Sequence, residues 1–131
     1  MQPLKTYIVE DSAVIRENLV AALEELTPVR VIGTAEDEET ALQWLLGPKC
    51  DAALVIVDIF LKSGSGLGVL RGAQARGVPA RLVVLSNYAT PDIRLLCEGL
   101  GADKVFDKSS EIEALIAYCA QLAGNGCRAI A

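Results

Sequence analysis

The fold is decided by Ala53-Leu54-Val55-Ile56-Val57-Asp58, a short apolar run that stops at an acid. Runs of this length, rich in valine and isoleucine, are typical of strands buried on both faces of a parallel sheet. Four more runs of the same kind occur along the chain, and a longer amphipathic segment follows each of the five. These four are Tyr7–Val9, Val29–Gly33, Leu82–Leu85 and Val105–Phe106.

The segments between the runs have helical periodicity. Apolar residues recur three, four or seven positions apart, which places them on one face of a helix. The stripes are Ile15, Leu19, Ala22, Leu23 and Leu26; Ala41, Leu42, Leu45 and Leu46; Leu67, Leu70 and Ala73; Ile93, Leu96, Cys97 and Leu100; and Ile112, Leu115, Ile116, Cys119 and Leu122. Ser110 with Glu113 fits a capping box at the start of the last helix. Five strand–helix repeats predict an α/β fold, a doubly wound, five-stranded parallel sheet with helices on both faces.

Length and composition predict a single domain. The chain has 131 residues, of which 52% are hydrophobic and 22% charged, enough for a buried core. We expect the domain to span residues 1–123 and a short tail to follow at 124–131, because Gly124 and Gly126 end the last helical pattern. The net charge of −5 and the lack of any basic run argue against direct nucleic-acid or membrane contact. With no signal peptide or membrane-spanning stretch, we expect a cytoplasmic location.

Residue types limit the chemistry further. The chain has no histidine, which removes the commonest general base and the commonest transition-metal ligand. Its cysteines form no CxxC pair and lie in apolar stretches, so buried thiols in a reducing compartment are favoured over disulfides or a metal site. They are Cys50, Cys97, Cys119 and Cys127.

Polar side chains stand where the apolar runs end. Glu10 and Asp11 follow the first run, Asp58 the third, Ser86 ends the fourth, and Lys108 follows the fifth. In doubly wound folds this edge of the sheet binds ligands. Three carboxylates brought together repel one another, and Mg²⁺ is the cation that suits their oxygens. Together with a lysine and a hydroxyl, they favour phosphoryl transfer with Asp58 as the nucleophile.

Four pieces of the sequence carry a family resemblance that extends from about Leu4 to Ala123. They are Val9-Glu10-Asp11-Ser12, Val57-Asp58-Ile59-Phe60-Leu61 with Gly66 eight residues past the aspartate, Val84-Leu85-Ser86-Asn87, and Gly101-Ala102-Asp103-Lys104-Val105-Phe106-Asp107-Lys108. Because it carries these four pieces in this order, the chain resembles the receiver domain of bacterial response regulators. The resemblance implies the flavodoxin-like strand order 2-1-3-4-5.

The resemblance also implies a role for each residue. Asp58 would accept a phosphoryl group from a phosphohistidine on a sensor histidine kinase or a histidine phosphotransfer protein. Glu10, Asp11, Asp58 and the backbone carbonyl of Phe60 would hold Mg²⁺. Lys108 would pair with the acceptor carboxylate and then with a phosphoryl oxygen, to which Ser86 would also hydrogen-bond. The domain would catalyse only its own phosphorylation and dephosphorylation.

Phosphorylation is expected to act on a partner through one face of the domain. Ser86 and Lys108 lie on the loops after the fourth and fifth strands, so their movement would repack the fourth helix, fifth strand and fifth helix. We expect this face to bind a downstream effector protein or to form a homodimer.

The sequence departs from the family pattern at several positions. Val105 stands where relatives often carry a switching aromatic residue, and we expect Phe106 to be part of the core. Ser109 replaces a frequent proline, so no cis peptide bond is expected there. Lys62 replaces another proline in a loop rich in glycine and serine, which predicts a more mobile loop.

Other interpretations remain open at this point. A pseudo-receiver would bind proteins without being phosphorylated. A flavodoxin-type protein would need a hydroxyl-rich phosphate loop where Glu10 and Asp11 stand, and an aspartate-nucleophile phosphohydrolase would need a second aspartate at the position of Phe60. Asp11 alone is also a common type of helix cap. Phe60 and Tyr88 either limit the access of water to the phosphoryl group or pack at the rim without kinetic effect.

Overall fold

The computed structural model describes residues 3–48 and 50–130, and it describes side chains up to residue 124. Five strands and five helices alternate along the chain. The strands are β1 (Leu4–Val9), β2 (Val29–Ala35), β3 (Leu54–Val57), β4 (Arg81–Ser86) and β5 (Lys104–Asp107). The helices are α1 (Ala13–Leu26), α2 (Glu38–Leu45), α3 (Gly66–Ala75), α4 (Pro91–Gly99) and α5 (Ile112–Ile130). All strands pair in parallel in the order β2-β1-β3-β4-β5, which confirms the predicted doubly wound fold.

The central strand β3 explains why its sequence is apolar throughout. Leu54 and Ile56 pack on the face covered by α1 and α5, whereas Val55 and Val57 pack on the face covered by α2, α3 and α4. All four side chains are buried, because helices cover both faces. Burying each such side chain contributes about 1.5–3 kcal/mol. The two layers of helices thereby hold β3, and the residue after it, in the middle of the molecule.

Side-chain caps start four of the helices close to the strand ends. The hydroxyl or carboxylate of each cap accepts a backbone N–H in the first turn, which satisfies a donor that the helix itself leaves free. The caps of α1 to α4 are Ser12, Asp37, Ser65 and Thr90. Asp11 is therefore not the cap of α1, and that interpretation of the residue is wrong.

Three expectations about helices differ from the structure. The helix α5 continues to Ile130 instead of ending at Gly124, because a glycine costs a helix only about 1 kcal/mol and keeps its hydrogen bonds. Residue 123 lies within α5, and the domain span of residues 1–123 itself stays a prediction. Within the described residues, no capping box forms at Ser110, since its N–H donates to Asp107 Oδ1. Leu26 is 62% exposed, because α1 turns only Leu19 and Leu23 fully into the core.

The described cysteines carry free thiols, as predicted. Cys97 and Cys119 are buried and Cys50 is half-buried, whereas Cys127 lies outside the described side chains. None of the helices in the described part of the chain combines the length and the apolar character needed to cross a bilayer.

Candidate functional site at the carboxyl ends of the strands

The register of the sheet brings the predicted polar residues to one edge. Val9 lies beside Val57, and Ser86 lies beside Asp107. The backbone pairing continues one residue beyond β3 and β5, because Asp58 N donates to the Val9 carbonyl at 2.9 Å and Lys108 N to the Ser86 carbonyl at 2.9 Å. These bonds fix the backbones from which the functional side chains project.

Lys108 joins the two buried carboxylates of the site. Its Nζ lies 2.6 Å from Glu10 Oε1 and 2.8 Å from Asp58 Oδ2. The side chains of Lys108, Glu10 and Asp58 are 8%, 3% and 7% exposed. Charges withdrawn from water to this extent need a partner, because desolvation costs several kcal/mol for each ion. The ammonium group is that partner for both carboxylates.

The remaining oxygens of these carboxylates accept backbone N–H groups. Ser12 N donates to Glu10 Oε2 at 3.0 Å, and Phe60 N donates to Asp58 Oδ1 at 3.3 Å. Arg16 holds the Glu10 backbone in place by donating from its guanidinium to the Glu10 carbonyl at 2.8 Å. The hydrogen bonds orient both carboxylates before any ligand binds.

Burial and pairing act in opposite directions on the pKa values. Burial raises the pKa of Glu10 above its ordinary value, although hydrogen bonds from Lys108 and Ser12 oppose the shift. Burial alone would lower the pKa of Lys108, but hydrogen bonds to Asp58 and Glu10 outweigh it and raise that pKa. The lysine therefore carries its charge at neutral pH.

The carboxylates of Glu10, Asp11 and Asp58 fit a divalent cation. Each offers one oxygen, and these oxygens lie within 4.8 Å of one another. Oxygens at adjacent positions around an octahedral Mg²⁺ are about 3 Å apart, so the three carboxylates would draw closer together on binding the ion. Three carboxylates against the single ammonium of Lys108 also leave two negative charges unbalanced. The donor set thus matches the ligand chemistry that Mg²⁺ prefers.

Ser86 lies at the same edge but does not contact the carboxylates. It is fully buried, and its Oγ accepts a hydrogen bond from Tyr88 N at 3.0 Å. Among the described residues, no hydrogen bond joins Ser86 to Asp58. Because Oγ acts as the acceptor toward Tyr88 N, the proton of the hydroxyl stays available for donation to an incoming oxygen.

Two exposed aromatic rings stand at the rim of the site. Phe60 and Tyr88 are 53% and 62% exposed, and their rings meet edge to face with centroids 5.2 Å apart. Each ring follows a functional residue by two positions, Phe60 after Asp58 and Tyr88 after Ser86. The two rings therefore contact each other beside the site while staying largely exposed.

The residues that replace the family's aromatic switch are part of the core. Val105 is buried with the residues under α4, and Phe106 is buried on the opposite face with its ring 5.8 Å from that of Tyr118. The expectation that Phe106 belongs to the core is confirmed. No cis peptide bond occurs in the described segments, which agrees with Ser109 following Lys108.

Sequence reasoning missed a guanidinium that ties the loops after β4 and β5 together. Arg94 of α4 donates to the Ala89 carbonyl at 2.9 Å, to the Val105 carbonyl at 2.7 Å and to Glu111 Oε1 at 2.7 Å. Glu111 Oε1 also accepts from Asp107 N at 2.9 Å. Hydrogen bonds from Arg94 and Asp107 N hold the pKa of Glu111 below its ordinary value. The only signal in the sequence was an arginine next to the apolar stripe of α4.

Comparisons with known sequences point to one family. The profile described as the response regulator receiver domain matches residues 6–120. A protein of Picosynechococcus sp. named a probable transcriptional regulatory protein is 34% identical over 120 residues, covering 88% of this chain and 47% of that protein. The nitrate/nitrite response regulator protein NarP of Escherichia coli is 29% identical over 115 residues, covering 87% of this chain and 52% of that protein. The chain spans about half the length of these relatives.

Solved structures agree on the fold. The signal receiver domain of the response regulator NarL from Mycobacterium tuberculosis superposes with a TM-score of 0.80 at 23% identity, covering 92% of this chain and 98% of that one. The response regulator domain of Thermotoga maritima CheB gives a TM-score of 0.80 at 19% identity, covering 94% and 97%. At these identities the similarity establishes the five-stranded receiver fold.

Proposed function

The chain belongs to the response regulator receiver family of two-component signalling, and on that premise we propose that Asp58 accepts a phosphoryl group in a Mg²⁺-dependent reaction. The observation that carries the proposal is the position of Lys108 Nζ, 2.8 Å from Asp58 Oδ2 and 2.6 Å from Glu10 Oε1. A lysine held there neutralises charge at the oxygen that would form the new bond. Asp11 completes a group of three carboxylates whose oxygens lie within 4.8 Å of one another, close enough to converge on a metal ion.

The transfer follows from the geometry of Asp58. A carboxylate oxygen attacks the phosphorus of a phosphohistidine, an O–P bond forms, the P–N bond breaks, and the leaving imidazole nitrogen takes a proton. Lys108 and the backbone N–H of Phe60 both hold Asp58, so the nucleophile is oriented in advance. Lys108 then donates to a phosphoryl oxygen.

Glu10, Asp11, Asp58 and the backbone carbonyl of Phe60 are the groups that would hold Mg²⁺. Bound there, the ion offsets negative charge on the phosphoryl oxygens. Burial disfavours the charged form of Glu10, as its raised pKa reflects, and a cation beside its carboxylate relieves that cost.

The switch begins at Ser86. A phosphoryl group adds charge and strong acceptor oxygens beside Asp58, and the free hydroxyl proton of Ser86 is the donor for one of them. For the Ser86 hydroxyl to reach the phosphoryl group, the β4–α4 loop has to move. Arg94 links this loop to β5 and to Glu111. The change therefore extends to the face formed by α4, β5 and α5.

That face is the proposed contact for a downstream effector protein or a second copy of the chain. Leu95 and Leu96 on α4 are 68% and 46% exposed, and these adjacent apolar side chains are available to a protein partner. The upstream partner would be a sensor histidine kinase or a histidine phosphotransfer protein. The relative named a probable transcriptional regulatory protein is about twice as long as this chain. For the receiver domain alone, residues 1–123, we propose that there is no direct contact with nucleic acid. We also propose that the domain is cytoplasmic and that it catalyses only its own phosphorylation and dephosphorylation.

Phosphoramidate tests the acceptor directly, because its P–N bond resembles that of phosphohistidine. Intact-protein mass spectrometry should find one phosphoryl group on the wild type with Mg²⁺ and none with EDTA. Asp58→Ala should gain none, because the nucleophilic oxygen is gone. Asp51→Ala is the matched control, since Asp51 is an exposed acid paired only with Lys5 on the surface.

Labelling of Asp58→Ala at the wild-type rate would show that another residue is the acceptor. A wild-type protein that takes no phosphoryl group and shows no NMR shift with beryllofluoride and Mg²⁺ would favour the pseudo-receiver, a protein-binding module without phosphorylation.

A further inference from the structure

A carboxylate of α2 contacts the loop between β3 and α3. Glu38 Oε1 accepts the backbone N–H of Ser65 at 2.9 Å, and Glu38 N donates to the Ser63 carbonyl at 3.2 Å. The two bonds join the start of one helix to the segment that leads into the next. Nothing in the sequence pattern of α2 indicates this contact, because Glu38 reads as an ordinary acid in the first turn.

The contact completes a capping box with a residue from another helix. Ser65 caps α3, and its Oγ accepts from Leu67 N at 3.1 Å. In an ordinary capping box the third residue after the cap is Glu or Gln, whose side chain returns to the N–H of the cap. Here that residue is Gly68, and Glu38 supplies the carboxylate instead.

The glycines around Glu38 leave the space that this arrangement needs. A Cβ on Gly68 would lie 2.3 Å from Glu38 Cδ, and one on Gly64 would lie 2.5 Å from Glu38 Cβ. Gly64 also has a φ of +77°, which other residues adopt only at a cost. Any side chain at position 68 therefore displaces the carboxylate that caps α3.

Ser65 is joined to the phosphorylation site through the backbone. Phe60 and Ser65 form an antiparallel bridge, and Gly66 N donates to the Ile59 carbonyl at 2.8 Å. Phe60 N in turn donates to Asp58 Oδ1. The bond from Glu38 thus ends on the loop that orients the Asp58 carboxylate and presents the Phe60 carbonyl.

We propose that Glu38 is a positioning residue for the phosphorylation site, holding the β3–α3 loop by capping α3 from the neighbouring helix. The inference rests on the proposed function of Asp58 and deepens it. The loop residues Lys62 to Gly66 contain two glycines, two serines and no proline, so they gain much chain entropy when released. The hydrogen bond from Ser65 N to Glu38 restrains this loop in the conformation that binds Mg²⁺.

The test compares Glu38→Ala with Glu39→Ala, a control that removes the exposed neighbouring acid of the same turn. Amide hydrogen exchange at Ser65 and Phe60 should be about five-fold faster in Glu38→Ala, the loss expected for a helix cap, and unchanged in Glu39→Ala. The dissociation constant for Mg²⁺, followed by NMR titration, should rise by a similar factor. Glu38→Gln should fall between the wild type and Glu38→Ala, because an amide oxygen still accepts the Ser65 N–H.

A double variant separates positioning from general destabilisation. Glu38→Ala combined with Gly68→Glu moves the carboxylate to the third position of α3 itself and clears the space it needs. This variant should recover the slow exchange of Ser65 and the wild-type affinity for Mg²⁺. Exchange or affinity of Glu38→Ala equal to that of Glu39→Ala, or no recovery in the double variant, would overturn the inference. The proposed function is judged separately, by whether the wild type is phosphorylated at all.

Discussion

Replacing Lys108 by methionine tests how much the buried charge cluster contributes to stability. Methionine fills a similar volume but leaves Glu10 and Asp58 without their cation. With an effective dielectric constant of about 20, each of the two contacts gives about 6 kcal/mol of Coulomb attraction. Desolvation of the three ions offsets much of this. Removing one partner from such a cluster therefore costs about 3–5 kcal/mol, because the remaining charges stay buried and unpaired.

Lys5→Met is the matched control. The ion pair that it removes is as short as the contact between Lys108 and Glu10, but it is exposed to solvent. Lys5 Nζ lies 2.6 Å from Asp51 Oδ2, but these side chains are 45% and 57% exposed. The loss expected for a pair in water is below about 1 kcal/mol.

Urea unfolding in EDTA measures both variants. With a slope of about 2 kcal/mol per molar urea, the midpoint of Lys108→Met should fall by roughly 2 M, and that of Lys5→Met by less than about 0.5 M. Adding Mg²⁺ should stabilise Lys108→Met more than the wild type, because it replaces the missing positive charge. Equal midpoint shifts in the two variants would refute the argument that burial, and not distance, sets the strength of this cluster.

Three further predictions follow from single features of the structure. Replacing Phe60 and Tyr88 together by serine should shorten the lifetime of phosphorylated protein several-fold, because water reaches the phosphoryl group more easily; an unchanged rate of autodephosphorylation would contradict this. Glu111→Gln should destabilise the protein at neutral pH. The difference should shrink as the pH falls below 4.5 and vanish once it has passed through the folded-state pKa of Glu111, which lies below that ordinary value; urea midpoints across this range decide it, and a constant difference is the opposing result. Burial raises the pKa of Cys119 from 9.0 to about 12, so the buried neutral thiol stabilises the wild type fully below pH 9.0, and this stabilisation is lost as the pH rises toward 12. The free energy of unfolding of Cys119→Ala should therefore fall less than that of the wild type between pH 9.0 and 12. Parallel pH profiles for the two proteins would count against this.

Periodicity was sufficient to predict the layers of this fold. Runs such as Leu54–Val57 are apolar at every position because both faces of a central parallel strand are covered, and no polar face is left to interrupt the run. The same reasoning placed Asp58 and Lys108 at one edge, because parallel strands all end on the same side of the sheet. Chain connectivity alone therefore brought together residues fifty positions apart.

Periodicity did not predict which side chains of a helical stripe are buried, or where helices end. Leu26 and Leu96 fit their stripes and are nevertheless exposed, because the orientation of each helix depends on what it packs against. The helix α5 passes through Gly124 because the cost of a glycine is small compared with the hydrogen bonds of a long helix.

The sequence by itself determined the order of strands and helices and the edge at which the acids, the serine and the lysine would meet. Only the tertiary structure decided that Lys108 spans both carboxylates, that the Ser86 hydroxyl is held by Tyr88 N, and that Glu38 and Arg94 fix the loops around them. The physical reason is that patterns along a chain record which side of an element is apolar. Hydrogen bonds between loops depend instead on distances of a few ångströms between elements, which leave no period in the sequence.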